Sequence, residues 1–465
     1  GNYTMSIEYL GLSSVNGPLV VLEGVQDAFF DEIVEFVIDG SERKIGRIVE
    51  LYEDKAVIQV FEGTESMSLM NTHTKLTGHP MEIALSPDML GRTFNGIGQP
   101  IDDLGPIVST LKRDVNGLPL NPVCREYPRN YIHTGISAID GLTTLIRGQK
   151  LPIFSGNGLP HDQLAAQIVK QASLGEDSDE EFAIVFAAMG VKHDVADFFR
   201  HTFEESGVAD HVAMFLNLAN DPVVERLITP KVALTVAEYL AFEQHMHILV
   251  ILTDMTSFAE AMREVSSSKG EIPSRKGFPG YLYSELAAIY ERAGIVRGVE
   301  GSVTQLPILT MPNDDITHPI PDLTGYITEG QIVLDRPLNG QSIYPPINIL
   351  PSLSRLMKDG IGEGYTREDH QDLSNQLFSA YAKVGDARNL ASVIGEDELS
   401  PIDKKYLEFG KEFEERYIGQ GLEENRTMEE TLNLGWELLG KLPREELDRV
   451  DTRLLDKYYK PAPEE

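Results

Sequence analysis

Short apolar runs separated by turns make up residues 1–78. Four of these runs are candidate strands, namely Pro18 to Leu22, Ile33 to Ile38, Ile45 to Leu51 and Lys55 to Phe61. Several alternate between apolar and polar side chains, as expected of strands that turn one face to a core. Short strands at close spacing, bounded by turn residues, are typical of small all-β folds. The pattern therefore predicts a β-barrel or a sandwich in residues 1–78.

Residues 79–134 are rich in glycine and proline. The run from Gly91 to Pro100 is a succession of turn-forming residues. We interpret the segment as a connector that belongs to the domain that follows it.

From Ile136 to about Pro351, apolar runs of strand length alternate with helical stretches. The candidate strands are Lys150 to Phe154, Phe182 to Ala188, Val212 to Leu216, Ile248 to Leu252 and Val303 to Leu309. Asp221 and Pro222 predict a helix start, because aspartate is a frequent N-cap and proline is favoured at the first helical position. Strands that are apolar on both faces and separated by helices indicate a parallel α/β sheet. We therefore predict an α/β domain over residues 79–358, including the connector.

Residues 359–465 follow the helical period. Gln371 to Val384 and Asp403 to Tyr417 both place apolar residues at the spacing of one helix face. This pattern predicts an α-helical C-terminal domain over residues 359–465.

Composition and charge exclude several functional classes. The chain has 465 residues, an apolar fraction of 42% and a formal net charge of −33. A field of that sign repels phosphate backbones, which argues against a nucleic-acid motor and predicts no nucleic-acid partner. The single cysteine, Cys124, excludes an intrachain disulfide and a cysteine-based zinc site. No apolar run approaches the roughly 18 residues of a membrane helix, and we expect neither a secretory signal nor a metal site.

A glycine-containing loop between a predicted strand and a predicted helix resembles a phosphate-binding loop. Its residues are Ser155, Gly156, Asn157, Gly158, Leu159, Pro160, His161 and Asp162. A working P-loop reads G-x-x-x-x-G-K-[ST] and opens a helix. In that register Ser155 and Pro160 replace the two glycines. His161 replaces the lysine, and Asp162 replaces the serine or threonine.

Each of these changes is expected to weaken phosphate binding by the loop. Pro160 removes an N–H from a loop whose N–H groups face phosphate. A histidine is shorter than lysine and lacks its permanent charge at neutral pH. Asp162 brings a carboxylate towards a polyanion, against a helix dipole equivalent to roughly half a charge. The same residues also suit a purely structural helix start, and both interpretations predict weak or no nucleotide binding by this chain alone.

Two further positions bear on ATP hydrolysis. The apolar strand Ile248 to Leu252 leads through Thr253 to Asp254, which resembles a Walker B carboxylate near magnesium. A RecA-type ATPase also needs a carboxylate after the strand that follows the P-loop helix, to polarise the attacking water. Val191 occupies that position, and the first acid is Asp194, which we place in the next helix. The chain therefore lacks a second part of the hydrolytic machinery.

Four runs resemble one known family along nearly the whole chain. They are Tyr131 to Asp140, Ser155 to His161, Pro312 to Gln331 and Pro345 to Leu356. The last two are the most specific, and they contain the segments Pro-Asn-Asp-Asp-Ile-Thr-His-Pro and Pro-Ser-Leu-Ser-Arg. These runs resemble the non-catalytic B chain of archaeal-type and vacuolar-type rotary ATPases.

The resemblance implies an N-terminal β-barrel, a central RecA-like P-loop NTPase-type domain and a C-terminal helical domain. It also implies a hexameric head in which catalytic A subunits alternate with B subunits, with further contacts to the central rotor stalk and the peripheral stalk. ATP or ADP with magnesium is expected at the interface with A, where ATP synthesis or hydrolysis is coupled to proton or sodium transport. The implied location is the cytoplasmic face of the membrane, reached only through the complex.

In that family the B subunit completes the ATP site of A with an arginine from the Pro-Ser-Leu-Ser-Arg segment, which is Arg355 here. A guanidinium suits this role because its planar donors match phosphate oxygens. An arginine finger supplied by a neighbour accelerates phosphoryl transfer by about a thousand-fold or more. Ser352 and Ser354 are candidate neighbours of the finger. Without the resemblance, Arg355 has the simpler interpretation of a solvated loop arginine.

Two loops each keep two interpretations. Gly270 to Gly280, with Arg275 and Lys276, either faces a nucleotide or a neighbouring subunit or is an ordinary interface loop. Asp397 to Ser400 either resembles the acidic loop that meets the rotor in related ATPases or is a solvated turn. The histidines without companions for a metal site are His193, His201, His211, His245 and His247.

Two alternatives to the B-subunit hypothesis differ in what they require. A self-sufficient hexameric ATPase, such as a secretion motor or a Rho-like helicase, requires lysine at position 161 and glutamate near position 191, and both are missing. A pure scaffold requires no catalytic residue and tolerates the loss of Arg355.

Overall fold

The computed structural model describes residues 8–117, 125–126, 129–175, 178–268, 270–271 and 273–463. Cys124 lies outside the described residues. Two compact units divide the chain: Gly1–Cys124 with Ala183–Arg292, and Arg125–Phe182 with Ala293–Glu465. Within the described ranges, no helix combines the length and the apolar character needed to cross a bilayer.

Strands and helices follow one another along the described residues in a fixed order. The strands are β1 Glu8–Leu10, β2 Ser14–Asn16, β3 Leu19–Leu22, β4 Glu32–Ile38, β5 Glu42–Tyr52, β6 Lys55–Val60, β7 Thr72–Pro80, β8 Glu82–Ala84, β9 Thr93–Asn95, β10 Lys112–Asp114, β11 Arg125–Glu126, β12 Ile153–Ser155, β13 Phe182–Val191, β14 Val212–Leu218, β15 His247–Thr253, β16 Ile295–Val296, β17 Ser302–Thr310, β18 Gly330–Leu334 and β19 Ile347–Ser354. The helices are α1 Ser137–Asp140, α2 His161–Gln171, α3 His193–Ser206, α4 Val223–Glu238, α5 Met255–Ser268, α6 Leu282–Tyr290, α7 Pro319–Ile327, α8 Arg336–Gly340, α9 His370–Ile394, α10 Pro401–Glu412, α11 Met428–Leu439 and α12 Thr452–Tyr458.

In the first unit, an antiparallel sheet of seven strands has the order β1-β7-β4-β5-β6-β3-β2. In strand β4 the alternation of apolar and polar residues determines which face is buried: Val34 and Phe36 are buried, whereas Glu35 between them is exposed. The buried side chains of the sheet form one core, which includes Leu12, Val20, Leu22, Ile48, Ala56, Ile58 and Val60. The four strands predicted for this region correspond to β3, β4, β5 and β6, with small differences at their ends.

A second set of strands in the first unit has the order β15-β13-β14-β9. Strand β14 pairs in parallel with both β13 and β9. Strand β9 lies in the segment that we interpreted as a connector made of turns. Its central Phe94 stacks on Phe215 with ring centroids 5.0 Å apart, so packing stabilises a strand of three residues that is too short to show a period of two.

Helix α4 begins later than the sequence indicates. The Asp221 Oδ2 atom accepts the N–H of Leu218 at 2.7 Å, which closes the turn after β14. Pro222 keeps an extended backbone with φ −56° and ψ 137°, and Val223 is the first helical residue. The prediction of Asp221 as N-cap and Pro222 as first helical residue was therefore wrong, because the carboxylate binds a donor that precedes it.

In the second unit, four strands have the order β19-β18-β12-β17. Strand β12 pairs in parallel with β17 and β18, whereas β19 is antiparallel to β18. The sequence analysis did not find β18 or β19. Strand β19 contains Pro351 and lies at the edge of this set, where a proline removes no inter-strand hydrogen bond.

The C-terminal region of the second unit is helical, as predicted. The predicted helix Gln371 to Val384 lies inside the longer α9, and Asp403 to Tyr417 corresponds to α10 and the π-helical turn that extends it. The buried Asp369 carboxylate accepts the Nε1–H of Trp436 at 2.6 Å and pairs with Arg367 at 2.6 Å. These bonds tie the beginning of α9 to α11.

His370, the first residue of α9, is a fully buried histidine. Its Nδ1 atom lies 2.9 Å from Thr366 Oγ1, and its Nε2 atom lies 3.0 Å from the carbonyl oxygen of Gly141. The neutral tautomer with hydrogen on Nε2 donates to the carbonyl and accepts from the hydroxyl, so both ring nitrogens are satisfied. Burial lowers the pKa of His370 from 6.5 to about 4.

We expect this histidine to make the fold sensitive to acid. Because its pKa is lower in the folded state than in the unfolded state, its contribution is fully present above about pH 6.5 and is lost as the pH falls towards 4. The loss is about 3 kcal/mol at 1.36 kcal/mol per pKa unit. His370→Gln keeps an N–H for Gly141 and does not titrate. Urea unfolding between pH 7 and pH 4.5 should show the steeper decline in the wild type, and equal declines would contradict the assignment.

Candidate functional site

The degenerate phosphate loop joins β12 to α2, as the sequence predicts. Ser155 Oγ lies 2.7 Å from His161 Nδ1, so the two ends of the loop are bonded to each other. The side chain that replaces the P-loop lysine therefore points back to the end of the strand. Asp162 lies in the first turn of α2, with its Oδ1 atom 3.8 Å from His161 Nε2.

The backbone of the loop uses the donors that a phosphate would need. The N–H of Leu159 donates to the Gly156 carbonyl at 3.1 Å, and the N–H of His161 donates to the Leu159 carbonyl at 2.9 Å. Pro160 lies between them and has no N–H. Its φ of −82° and ψ of 45° are close to an inverse γ-turn. Three successive positions therefore offer no free donor where a P-loop directs N–H groups at phosphate.

The ion pair between Arg336 and Asp314 contacts the loop. Arg336 donates to the two carboxylate oxygens of Asp314 at 2.6 and 2.9 Å, and to the Asn157 carbonyl at 2.9 Å. A Cβ atom added to Gly156 would overlap this Asp314 carboxylate. The Arg336 guanidinium holds the pKa of Asp314 below its usual range, so this carboxylate stays ionised beside the loop. Neither residue is predicted from the sequence as part of this site, because both lie far from the loop along the chain.

The two other ATPase positions belong to the first unit. Asp254 follows β15 directly, and its Oδ1 atom accepts the N–H of Thr256 at 2.9 Å at the start of α5. Val191 is the last residue of β13, and Asp194 lies in the first turn of α3, as expected. An apolar side chain that ends a strand therefore lies where we expect the glutamate of a RecA-type ATPase.

Arg355 follows the last residue of β19, and its side chain is exposed. Its backbone N–H donates to the Glu329 carbonyl at 2.9 Å, and its Nη1 atom donates to the Thr328 carbonyl at 3.2 Å. Among the described residues, Arg355 forms no ion pair with a carboxylate. A single neutral carbonyl, that of Thr328, therefore bonds the guanidinium, and its charge is available to an external anion.

Arg355 lines a cleft of about 800 Å³ between β19 and α9. Lys358 and Arg449 also line the cleft, and the described lining residues include no aspartate or glutamate. In a chain with a formal net charge of −33, such a concentration of cations is unusual. The cleft therefore suits a polyanion.

Both candidate serines fix the strand that carries Arg355. Ser352 Oγ accepts the N–H of Val333 in β18 at 2.9 Å and donates to the Asn348 carbonyl at 2.6 Å. Ser354 Oγ donates to the Thr144 carbonyl at 2.7 Å. Ser354 Oγ also accepts from Gln149 Nε2 at 2.9 Å, and these contacts within the protein suit residues that orient the segment.

The charged residues of the two loops, Arg275 and Lys276 in the first and Asp397 and Glu398 in the second, are exposed. The Nη1 atom of Arg263 donates to the carbonyl oxygen of Lys276 at 3.1 Å. The Arg263 guanidinium lies 4.8 Å from the ring centroid of Phe278. In the acidic run, Ser400 Oγ accepts the N–H of Asp403 at 3.3 Å and so caps α10.

The histidines have ordinary surroundings. On α3, His193 and His201 each lie 3.0 Å from a carboxylate one helical turn later, whereas His247 is a buried residue of β15. In the part of the chain that the structure describes, no group of three His, Cys, Asp or Glu side chains could hold a metal ion.

Three family models match successive parts of the chain. The ATP synthase alpha/beta family β-barrel domain matches residues 12–78, and the nucleotide-binding domain of the same family matches residues 135–354. The C-terminal domain of V and A type ATP synthase matches residues 359–459. The chain is thus an ATP synthase alpha/beta-type protein with a β-barrel, a nucleotide-binding domain and a helical domain, which confirms the predicted fold class.

Relatives narrow this class further. The V-type ATP synthase beta chain 2 of Clostridium tetani is 65% identical over 98% of this chain and 99% of its own length. The B chain of the A-type ATP synthase of Sulfolobus acidocaldarius is 58% identical over 97% of both chains. The solved structure of "a unique ATP synthase subunit NeqB from Nanoarcheaum equitans" is 39% identical, with a TM-score of 0.72 over 92% of this chain and 100% of that one. The chain belongs to the family of V-type beta chains and A-type B chains of ATP synthases, as the resemblance predicts.

Proposed function

We propose that this chain is the non-catalytic component of a rotary ATPase head and supplies Arg355 to the ATP site of a neighbouring catalytic A subunit. A and B chains alternate in a hexameric ring, and ATP synthesis or hydrolysis in that ring is coupled to proton or sodium transport. The observation that carries the proposal is the exposed Arg355 guanidinium, which bonds the Thr328 carbonyl in a cleft lined by cations while the Glu329 carbonyl holds its backbone N–H.

The state of the chain's own loop supports a division of labour between the two kinds of chain. Leu159, Pro160 and His161 offer no free N–H, and the Asp314 carboxylate lies beside Gly156. Val191 is apolar as well. The chain therefore lacks both a loop that binds phosphate and a residue that polarises the attacking water. Arg355 is the catalytic group that remains, and it acts in trans.

The proposed ligands and partners follow from that arrangement. ATP or ADP with magnesium binds at the interface with the A subunit, and this chain alone holds no nucleotide tightly. Asp254 remains a candidate for the neighbourhood of magnesium. The other partners are the central rotor stalk and the peripheral stalk, and the complex places the chain at the cytoplasmic face of a membrane that it does not itself enter.

We expect the isolated chain to bind Mg-ATP with a dissociation constant weaker than about 1 mM, or not at all. The reason is that the N–H groups of Leu159 and His161 are already used, Pro160 has none, and two carboxylates, Asp162 and Asp314, lie at the loop. Calorimetry measures this directly, with the purified A subunit as the positive control. Micromolar binding by the isolated chain would contradict the proposal and favour a self-sufficient ATPase.

Reconstitution with the A subunit distinguishes the proposed function from the remaining alternative, a pure scaffold. ATP turnover by the A subunit should be low alone and rise when this chain is added. If the added chain assembles with A and the wild type and an Arg355 variant stimulate turnover equally, the chain is a scaffold and the proposal is wrong.

A further inference from the structure

We propose that Gln149 is a positioning residue, which fixes Arg355 for the neighbouring subunit's nucleotide without touching that nucleotide. The inference rests on the function proposed above for Arg355. Gln149 is completely buried in the turn that precedes β12, and the sequence analysis did not single it out.

The carboxamide of Gln149 makes three hydrogen bonds. Its Nε2 group donates to Ser354 Oγ at 2.9 Å and to the Glu329 carbonyl at 3.3 Å. Its Oε1 atom accepts the N–H of Ile146 at 2.9 Å. One N–H is therefore directed at Ser354 in the segment that carries Arg355, the other at the carbonyl that precedes β18, and the acceptor anchors the amide in its own turn.

These bonds reach Arg355 by two routes. Ser354 is the residue immediately before it in the chain. The Glu329 carbonyl, which accepts from Gln149, also accepts the backbone N–H of Arg355 at 2.9 Å. The preceding carbonyl, that of Thr328, accepts from the Arg355 guanidinium at 3.2 Å. A displacement of Gln149 would therefore shift the backbone and the side-chain anchor of Arg355 together.

Gln149 is itself held rigidly. Its N–H donates to the Ile146 carbonyl at 3.0 Å, and its carbonyl accepts the N–H of Gln305 at 2.8 Å. The neighbouring Gly148, at φ +86°, donates its N–H to Thr304 Oγ1 at 2.8 Å. The bond to Gln305 fixes Gln149 against β17, a strand of the sheet. Arg355, in contrast, is exposed. Such support matters because a misplacement of about 1 Å at a catalytic group costs about a hundred-fold in rate.

The test uses the reconstituted complex with the A subunit. In Gln149→Met, which keeps the length of the side chain and removes the amide, we expect kcat to fall between about ten-fold and a hundred-fold with KM for ATP changed less than two-fold. Ser354→Ala removes the same contact together with the bond to the Thr144 carbonyl, leaves the Gln149 turn unaltered and should lower kcat in the same way. Gln59→Met is the matched control, because Gln59 is also buried but its amide oxygen bonds Arg47 in the β-barrel region.

A double-mutant cycle decides whether Gln149 acts through Arg355. Gln149→Met should cause no further loss of kcat in an Arg355→Ala background, and an additive loss would overturn the positioning role. If Arg355→Ala is inactive while Gln149→Met and Ser354→Ala keep normal kcat, only the positioning inference fails. If Arg355→Ala itself turns over ATP normally, the function proposed for Arg355 fails, and the positioning role falls with it.

Discussion

Arg355→Ala should lower ATP turnover by the assembled complex about a thousand-fold or more, the effect of removing an arginine finger supplied by a neighbour. The complex itself should remain intact, because the guanidinium is exposed and, within the described part of the chain, its hydrogen bond is the one to the Thr328 carbonyl. Removing it leaves no buried cavity and no unpaired buried charge. Turnover by reconstituted complexes, with assembly checked by size-exclusion chromatography, measures both quantities.

Two further variants show whether the effect belongs to the finger alone. Lys358→Ala removes another cation from the same cleft, three residues later, and should cost less than about ten-fold, as expected of a general electrostatic contribution. Arg355→Lys keeps the charge but loses the planar, paired donors and should remain far below the wild type. If Lys358→Ala and Arg355→Ala lose the same amount of activity, the cleft attracts nucleotide only by its charge, and the specific role of Arg355 is wrong.

The features that the sequence predicts best are those set by neighbouring residues. Strand β12, the loop after it and helix α2 were found because an apolar run, a glycine-containing turn and a helical period follow one another directly. The weak phosphate binding that we predict likewise rests on Pro160, since a missing N–H is a property of the residue itself. The structure adds that Leu159 and His161 on either side also use their donors within the loop.

The features that escaped the sequence analysis depend on residues far apart in the chain. Arg336 reaches Asn157 across 179 positions, and Gln149 reaches Ser354 across 205. No periodicity or local propensity records such contacts. Strand β19 was not predicted for a different reason. It is an edge strand that pairs only with β18, and Pro351, Ser352 and Ser354 interrupt the apolar pattern by which a strand is recognised. Arg355 itself was found through the family resemblance, because an arginine after an unrecognised edge strand has no distinctive local pattern.

Gly330→Ala should be the most damaging small substitution near the finger. Gly330 begins β18 at φ +123°, a conformation that side-chain-bearing residues rarely adopt. It pairs with Ser354 in the β18–β19 ladder, and a Cβ atom added to it would overlap the carbonyl oxygen of Leu353. Because that neighbour is backbone, β19 must move away, and Arg355 moves with it. We expect kcat to fall about a hundred-fold, the cost of a displacement of about 1 Å.

Gly325→Ala is the matched control, five residues earlier in the same segment. Gly325 lies inside α7, where an added Cβ atom would meet Phe154 at an ordinary contact distance of 3.7 Å. Alanine is favoured over glycine in a helix interior by about 1 kcal/mol, so this variant should keep its activity and resist denaturation slightly better. Full activity in Gly330→Ala would show that the β18–β19 ladder does not determine where the guanidinium lies. A loss in Gly330→Ala alone, with the complex still assembled, would show that a finger on the surface depends on a backbone contact beneath it.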